Sequence, residues 1–266
     1  MKIYPKKLIR FLNVHQRWSI SLKILPLVIV IIGLKYIMFV LNLDRIVLNS
    51  LFTALISANI FIIGFLISGV LSDYKESEKL PSDLACSLES LADEGRILQY
   101  GGHGELANKY LSTISKLNEN ILQWFHKRYR TENLMQDISS LDEYFYKLEG
   151  ITQPPSLTRL KNEQSSIRKM VNRINTIRET DFLGTGYAVA EIITTLLIIG
   201  MLFTEISQFL VENMVFTGFV SFILIYMIFL IKDLDNPFSY YIEHNISGNV
   251  SLTPIIKSNS RIQKML

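Results

Sequence analysis

Phe61–Pro81 reads FIIGFLISGVLSDYKESEKLP. Its first half carries no charge, and just beyond Leu71 it becomes a dense mixture of Asp73, Lys75, Glu76, Glu78 and Lys79. A membrane helix that ends at an aqueous interface accounts for the switch, because hydrocarbon penalises charge and water does not. It leaves a second pattern unexplained: two phenylalanines four apart around Gly64, on one line of a helix.

The rest of the chain supports a membrane setting. Of its 266 residues 49% are hydrophobic, 11% aromatic and only 19% charged, a more apolar balance than soluble domains of this length show. The net charge of +3 is slight and its basic residues are interleaved with acidic ones, so nucleic acid is not an expected partner. Cys86 is the single cysteine, which excludes an intramolecular disulfide and a cysteine metal cage, and fits a cytoplasm-facing location.

Crossing about 30 Å of hydrocarbon as a helix takes roughly 20 residues. Four stretches qualify, near residues 24–42, 46–71, 185–204 and 209–231. The first follows a basic leader, lacks a small-residue cleavage site and continues apolar past Lys35, so it is expected to be retained as a span. Lys2, Lys6, Lys7, Arg10, Arg17 and Lys23 precede it without an acidic residue, which places the N-terminus in the cytoplasm. Four spans return the C-terminus to the same side of an inner or plasma membrane. The outer loops then hold Asp44 and Arg45, and Glu205 and Glu212, so basic residues are scarce outside. The expected organisation is a basic amphipathic segment (1–23), two transmembrane helices (24–71), a cytosolic helical domain (72–183), two further transmembrane helices (184–231) and a cytosolic tail (232–266). The leader suits either a helix on the inner membrane surface or a charged topogenic flank.

Within the cytosolic domain helical patterns recur. LACSLESLADEGRILQY breaks at Gly101 and Gly102, ELANKYLSTISKLNENILQWF follows, and ENLMQDISSLDEYFYKLEG starts after Thr131 as an N-cap. Pro154 and Pro155 punctuate, and Ser156 can cap a long polar helix with an apolar stripe of Leu157, Leu160, Ile167, Met170, Val171 and Ile174 that leads toward the third span. No alternating strand pattern of useful length, repeat or low-complexity run is present, so the fold class is all-α.

On the second span, Ser57, Phe61 and Phe65 lie on one helical line, with Ser50, Ala54 and Ser68 close to the same face. Such a line can face a shared axis, and equally it can be ordinary packing of aromatic knobs against small residues. Gly64 permits close helix approach, and Asn59 places a polar group where hydrocarbon would leave it unsatisfied.

The stretch FIIGF…Y…E.LP from Phe61 to Pro81 resembles the end of the second transmembrane helix in the bestrophin family of ion channels. KDLDNPFSYY, Lys232 to Tyr241, resembles that family's Asn/Asp-Pro-Phe-Gly segment, which leaves the membrane and turns back over the cytosolic domain. The order of spans agrees too. The resemblance implies an ion channel with a homopentameric assembly and one central pore, a narrow neck at Phe61 and Phe65, and a post-membrane turn at Asp235, Asn236, Pro237 and Phe238. It departs in three places. Ser57 stands where the family has a bulky aliphatic residue, Ser239 replaces the glycine, and SYYIEHNISGN supplies only Glu243 in place of the acidic run that clasps calcium in eukaryotic members, so no metal and no cofactor is expected.

A phenylalanine ring of this kind constricts a pore and gates by dewetting, and edge-on rings, with their partial positive character, favour an anion such as chloride. Asp73, Glu76 and Glu78 would favour cations if they faced the axis. Lys35, about 16 Å along the first span from Ile24, needs water, a partner or a route to the interface, and it is a candidate vestibule charge together with Asp73 and Glu76. His15, His103, His126 and His244 are scattered without ligand spacing, GGHGE is a turn, LGTGY lacks the end of a phosphate loop, and no enzyme constellation is present. The reading is a chloride-conducting channel subunit, with a non-conducting membrane anchor whose cytosolic helices recruit a partner as the alternative.

Overall fold

The computed structural model describes residues 18–47, 49–180, 184–240 and 249–266. In chain order its elements are α1 (Ser19–Val40), β1 (Ile46–Val47), α2 (Ser50–Tyr100), α3 (Gly104–Phe125), α4 (Thr131–Leu148), α5 (Pro154–Glu179), α6 (Gly184–Leu202), β2 (Thr204–Glu205), α7 (Leu210–Asp235) and α8 (Thr253–Gln263). The chain is an all-α, multi-pass membrane protein: four of its helical stretches are long and apolar enough to cross a membrane, in the order expected. The reading of the basic leader as a surface helix falls mostly on residues 1–17, and the approach of the polar helix to the third span on residues 181–183; both lie outside the described residues. So does the stretch 241–248 after the post-membrane turn.

The abrupt switch at Leu71 is carried by one continuous helix, α2, of 51 residues. Beyond the apolar half, Leu80, Leu84, Leu88, Leu91 and Leu98 are buried at three-, four- and seven-residue spacing, so a single stripe continues while the opposite face becomes charged. Pro81 sits inside this helix and costs one intrahelical hydrogen bond, the one that the Ser77 carbonyl would accept.

The chain forms two compact units. The first contains α1, β1, α2 as far as Ser72, α6, β2 and α7. Here α7 packs against α1 and α6, and Gly218 makes room for Ile32: a Cβ at that position would lie 2.7 Å from the Ile32 Cδ1. Ile63, Leu66, Val70, Ala190, Leu224 and Ile231 form one buried cluster, and Ile24, Val28, Ile31, Leu202 and Ile225 another. Asn59, fully buried, donates its Nδ2–H to the Thr194 hydroxyl at 2.9 Å, while its Oδ1 finds no partner among the described residues.

An all-α reading misses one detail. β1 and β2 pair in parallel, Ile46 with Thr204 and Val47 with Glu205, joining the two loops that follow α1 and α6. The ladder is too short to have a periodicity in sequence.

The second unit contains α2 from Asp73, α3, α4, α5, the turn from Asn236 and α8. Its core draws on every one of these helices, with Trp124, Phe125, Phe145 and Phe238 among its largest buried side chains. Two caps differ from expectation. Thr131 is the first residue of α4, not its N-cap; Arg130 holds that position without a side-chain cap, and the Thr131 hydroxyl accepts from Trp124 Nε1 at 3.0 Å and donates to Asn175 Oδ1 at 3.1 Å. Likewise Gln153 precedes α5, because Pro154, with its preset φ and no N–H to satisfy, starts the helix ahead of Ser156.

Candidate functional site

The membrane half of α2 has two unlike faces. Asn59, Ile63, Leu66 and Val70 are buried, whereas Ser50, Ala54, Ser57, Phe61, Phe65 and Ser68 are exposed along one line. Phe61 is 76% exposed and Phe65 66%, values that leave both rings without a packed environment inside the subunit. They border an open hollow of about 330 Å³ whose other wall is Thr185, Gly186 and Val189 of α6. The Ser57 hydroxyl donates to the Thr53 carbonyl at 3.0 Å and keeps its lone pairs on the surface. Gly64, expected to admit a neighbouring helix, meets nothing within 4 Å where a Cβ would stand. Ser57, Phe61 and Phe65 thus share an exposed face, which nothing among the described residues covers.

That face differs in chemistry from the exposed faces of α1 and α7. The exposed side of α1 is aliphatic or aromatic almost throughout, with Leu22, Leu25, Ile29, Val30, Ile37 and Val40, and α7 exposes Val211, Val215, Phe216 and Phe219. Lipid tails suit such surfaces. The α2 line instead mixes three serines, an alanine and a bare glycine with its two phenylalanines.

Lys35 is corrected by its surroundings. It is 0% exposed in the subunit, so it presents no charge to a vestibule. Its Nζ donates to Thr204 O at 2.6 Å, to Leu202 O at 3.3 Å and to Asp44 Oδ2 at 3.4 Å. α1 ends in a turn with Asn42 at φ 53 and Leu43 N–H bonded to Met38 O, and this reversal brings Asp44 back to Lys35. The ammonium thereby caps the carbonyl end of α6, where the helix dipole favours a cation. Pairing, one of the outcomes open to a lysine at membrane depth, is the one realised.

Asp73 and Glu76 belong to the second unit and converge on Arg173 of α5. Its guanidinium holds Glu76 with two bonds, Nη2 to Oε2 at 2.6 Å and Nε to Oε1 at 2.9 Å, and reaches Asp73 at 3.4 Å. The hydrogen bond from Arg173 holds the Glu76 carboxyl below its ordinary pKa, and Glu76 holds the guanidinium above its own. Locally, Asp73, Glu76 and Glu78 are matched in number by Lys75, Lys79 and Arg173. Among the described residues no three His, Cys, Asp or Glu side chains converge as a metal site would need.

The post-membrane turn divides at the end of α7. Asp235 Oδ1 accepts from the Tyr187 hydroxyl at 2.7 Å within the first unit. Asn236 and Pro237 then form a tight turn in the second, and Phe238 is fully buried with its ring centroid 5.8 Å from that of Phe125. Ser239, the departure from glycine, donates to the Asn236 carbonyl at 3.1 Å and accepts an Asn249 Nδ2–H at its own carbonyl at 3.0 Å. Val250 N–H bonds to Pro237 O at 3.0 Å, and the Tyr240 hydroxyl donates to Val250 O.

Solved structures share this architecture over most of the chain. One crystal structure of a mutated bacterial bestrophin homologue from Klebsiella pneumoniae superposes with a TM-score of 0.77, over 93% of this chain and 98% of that one, at 13% identity. The chain has a bestrophin-like fold. A second variant of the same homologue gives 0.76 over 91% and 99% of the two chains at 12% identity, and a third 0.75 over 91% and 97% at 13%. No family model matches the sequence, and no curated protein does either. The bestrophin-like fold is thus carried by a sequence only 12–13% identical to these structures. Asp44, Thr204 and Arg173 complete the polar contacts of Lys35 and Glu76, and the sequence did not single them out, because each meets its partner only through the tertiary fold.

Proposed function

We propose that this chain is a subunit of a bestrophin-like ion channel, in which copies of α2 surround one pore and Phe61 and Phe65 form its neck. The observation that carries the reading is the uncovered α2 line, on which two large aromatic rings stand exposed among serines, whereas α1 exposes mainly aliphatic side chains and α7 valines and phenylalanines with no serine between them. In a symmetric assembly, five copies by analogy with the bestrophins, these rings would meet near the axis. There they would exclude hydrated ions until the neck widens, since a hydrophobic constriction gates by dewetting. Their edges carry partial positive character, which favours a passing anion and so chloride. Arg173 supports the same sign: it engages Asp73 and Glu76, two of the three carboxylates that would otherwise draw cations to the inner mouth. The chain would lie in the inner or plasma membrane with both termini cytoplasmic, as its basic leader directs.

Purified protein in liposomes under opposed chloride and sodium gradients tests this reading. Wild-type protein should pass chloride in preference to sodium, and Phe61→Ala with Phe65→Ala should raise the flux several-fold. Unchanged flux in a double variant that assembles normally would refute the neck, and an inert wild-type protein would favour a non-conducting anchor whose cytosolic helices recruit a partner.

A further inference from the structure

In the second unit, the end of α3, the start of α4 and the end of α5 border an open cavity of about 450 Å³. Its walls carry three cationic side chains, Lys127, Arg130 and Arg178. They are set in place by the backbone and by one aromatic residue. α3 closes with Lys127 in the left-handed region at φ 56, its N–H bonded to Trp124 O and that of Arg128 to Gln123 O, a reversal that turns the following basic residues toward α4. Arg178 lies with its guanidinium carbon 5.0 Å from the Trp124 ring centroid and donates to the Trp124 carbonyl at 3.4 Å. The indole is fixed in turn through Thr131 and Asn175.

Among the described residues neither Arg130 nor Arg178 makes a salt bridge, although Arg178 is partly withdrawn from water, and that burial pushes its pKa down. A guanidinium over an indole, partly withdrawn from water and lining a cavity, suits the binding of an anion through its fork of donors. α4 begins at this same cavity with no side-chain cap at Arg130, so the free N–H groups of its first turn add to the positive field. Glu132 and Glu179 also line it. They oppose a bare anion bound anywhere in the cavity and suit one that carries hydroxyl or amine groups beyond its charged end. The volume exceeds what a single oxyanion fills.

We propose that this cavity binds a phosphate group, with Arg130 and Arg178 as its principal ligands, on a molecule whose remaining polar groups face Glu132 and Glu179. Two sources share this chemistry. Arg178 precedes the membrane span α6 by only a few residues in sequence, so a phospholipid headgroup is one candidate source, and a small soluble phosphate monoester is the other. The site is separate from the neck and does not depend on the channel reading.

The test uses the full chain with Trp18→Phe, which leaves Trp124 as its single tryptophan and as a reporter inside the cavity. In one arm, inorganic phosphate or glycerol phosphate is titrated into protein in detergent, against sodium chloride at equal ionic strength. In the other, protein in phosphatidylcholine nanodiscs is compared with and without phosphatidic acid. A saturable change in Trp124 emission is expected in at least one arm, weakened about tenfold or more by Arg130→Gln, the exposed ligand whose loss spares the packing, and also by Arg178→Gln. A response in detergent alone identifies a soluble phosphate, in nanodiscs alone a headgroup, and in both the phosphate group itself as sufficient. No saturable response in either arm, an equal response to chloride, or unchanged midpoints in both arginine variants would overturn the proposal.

Discussion

Replacing Lys35 by Met removes a charge that the fold has enclosed completely. The ammonium makes three contacts, to Thr204 O at 2.6 Å, Leu202 O at 3.3 Å and Asp44 Oδ2 at 3.4 Å. Met fills much of the same space and escapes the desolvation of an ammonium, but it leaves a nearly buried carboxylate and two carbonyls, Leu202 O at the end of α6 and Thr204 O in β2, without the lysine donor. Breaking a buried pair from one side costs about 3–5 kcal/mol. For a chain of this size that corresponds to a fall of about 10 °C in the midpoint of thermal unfolding. Asp44→Asn should cost less, about 1 kcal/mol, because the ammonium keeps its two carbonyls and a neutral acceptor. Combining Lys35→Met with Asp44→Leu should recover part of the loss, because no orphaned charge remains, with a coupling of about 1–3 kcal/mol. Thermal unfolding of detergent-purified protein, followed by size-exclusion chromatography, gives all three numbers. A Lys35→Met midpoint within about 1 °C of wild type, or an Asp44→Asn loss as large as that of Lys35→Met, would show that the pair does not tie together the loops that follow α1 and α6.

Three other outcomes follow from single contacts. Gly64→Leu should leave the stability of an isolated subunit unchanged, since nothing stands within 4 Å of the position, and should disrupt assembly as seen by mass in detergent if neighbouring copies pack there. Thr131→Val orphans the buried Trp124 N–H and should lower stability by about 1–3 kcal/mol in thermal unfolding. Arg173 lowers the Glu76 pKa, so the stabilisation is complete above the ordinary value of 4.5 and is lost as pH falls through the depressed folded value. Wild-type protein should therefore lose thermal stability more steeply than Glu76→Gln below about pH 4.5, by a small margin, because the pair is half exposed and screened by salt.

The spans were legible because hydrocarbon demands long uncharged runs, and such runs are visible without any partner. Their ends were less so: α1 starts at Ser19, ahead of Ile24, because a helix can continue through Lys23 outside the apolar slab, whereas hydropathy marks only the slab. The turn at Asn236, Pro237 and Phe238 was legible through its resemblance, and its energetic basis, the burial of Phe238 beside Phe125, only through the fold. Lys35 shows the opposite limit. Its cost at membrane depth could be read from the sequence, but its partners could not, since two of them are backbone carbonyls on a distant segment whose position depends on how α1 and α6 pack. Thr131 and Ser156 carried true cap chemistry at the wrong offset, because Arg130 and Gln153 already had the extended backbone that starts a helix. The line of Ser57, Phe61 and Phe65 was visible as a periodicity, but only the structure shows it bare.

The central claim is that this bare line turns inward on copies of itself. An electron-microscopy reconstruction of the purified protein in nanodiscs tests it most directly. The expected map has rotational symmetry about the membrane normal, with α2 innermost and the side chains of Phe61 and Phe65 pointing at the axis. A single subunit, or an assembly in which those rings face the lipid, would contradict it.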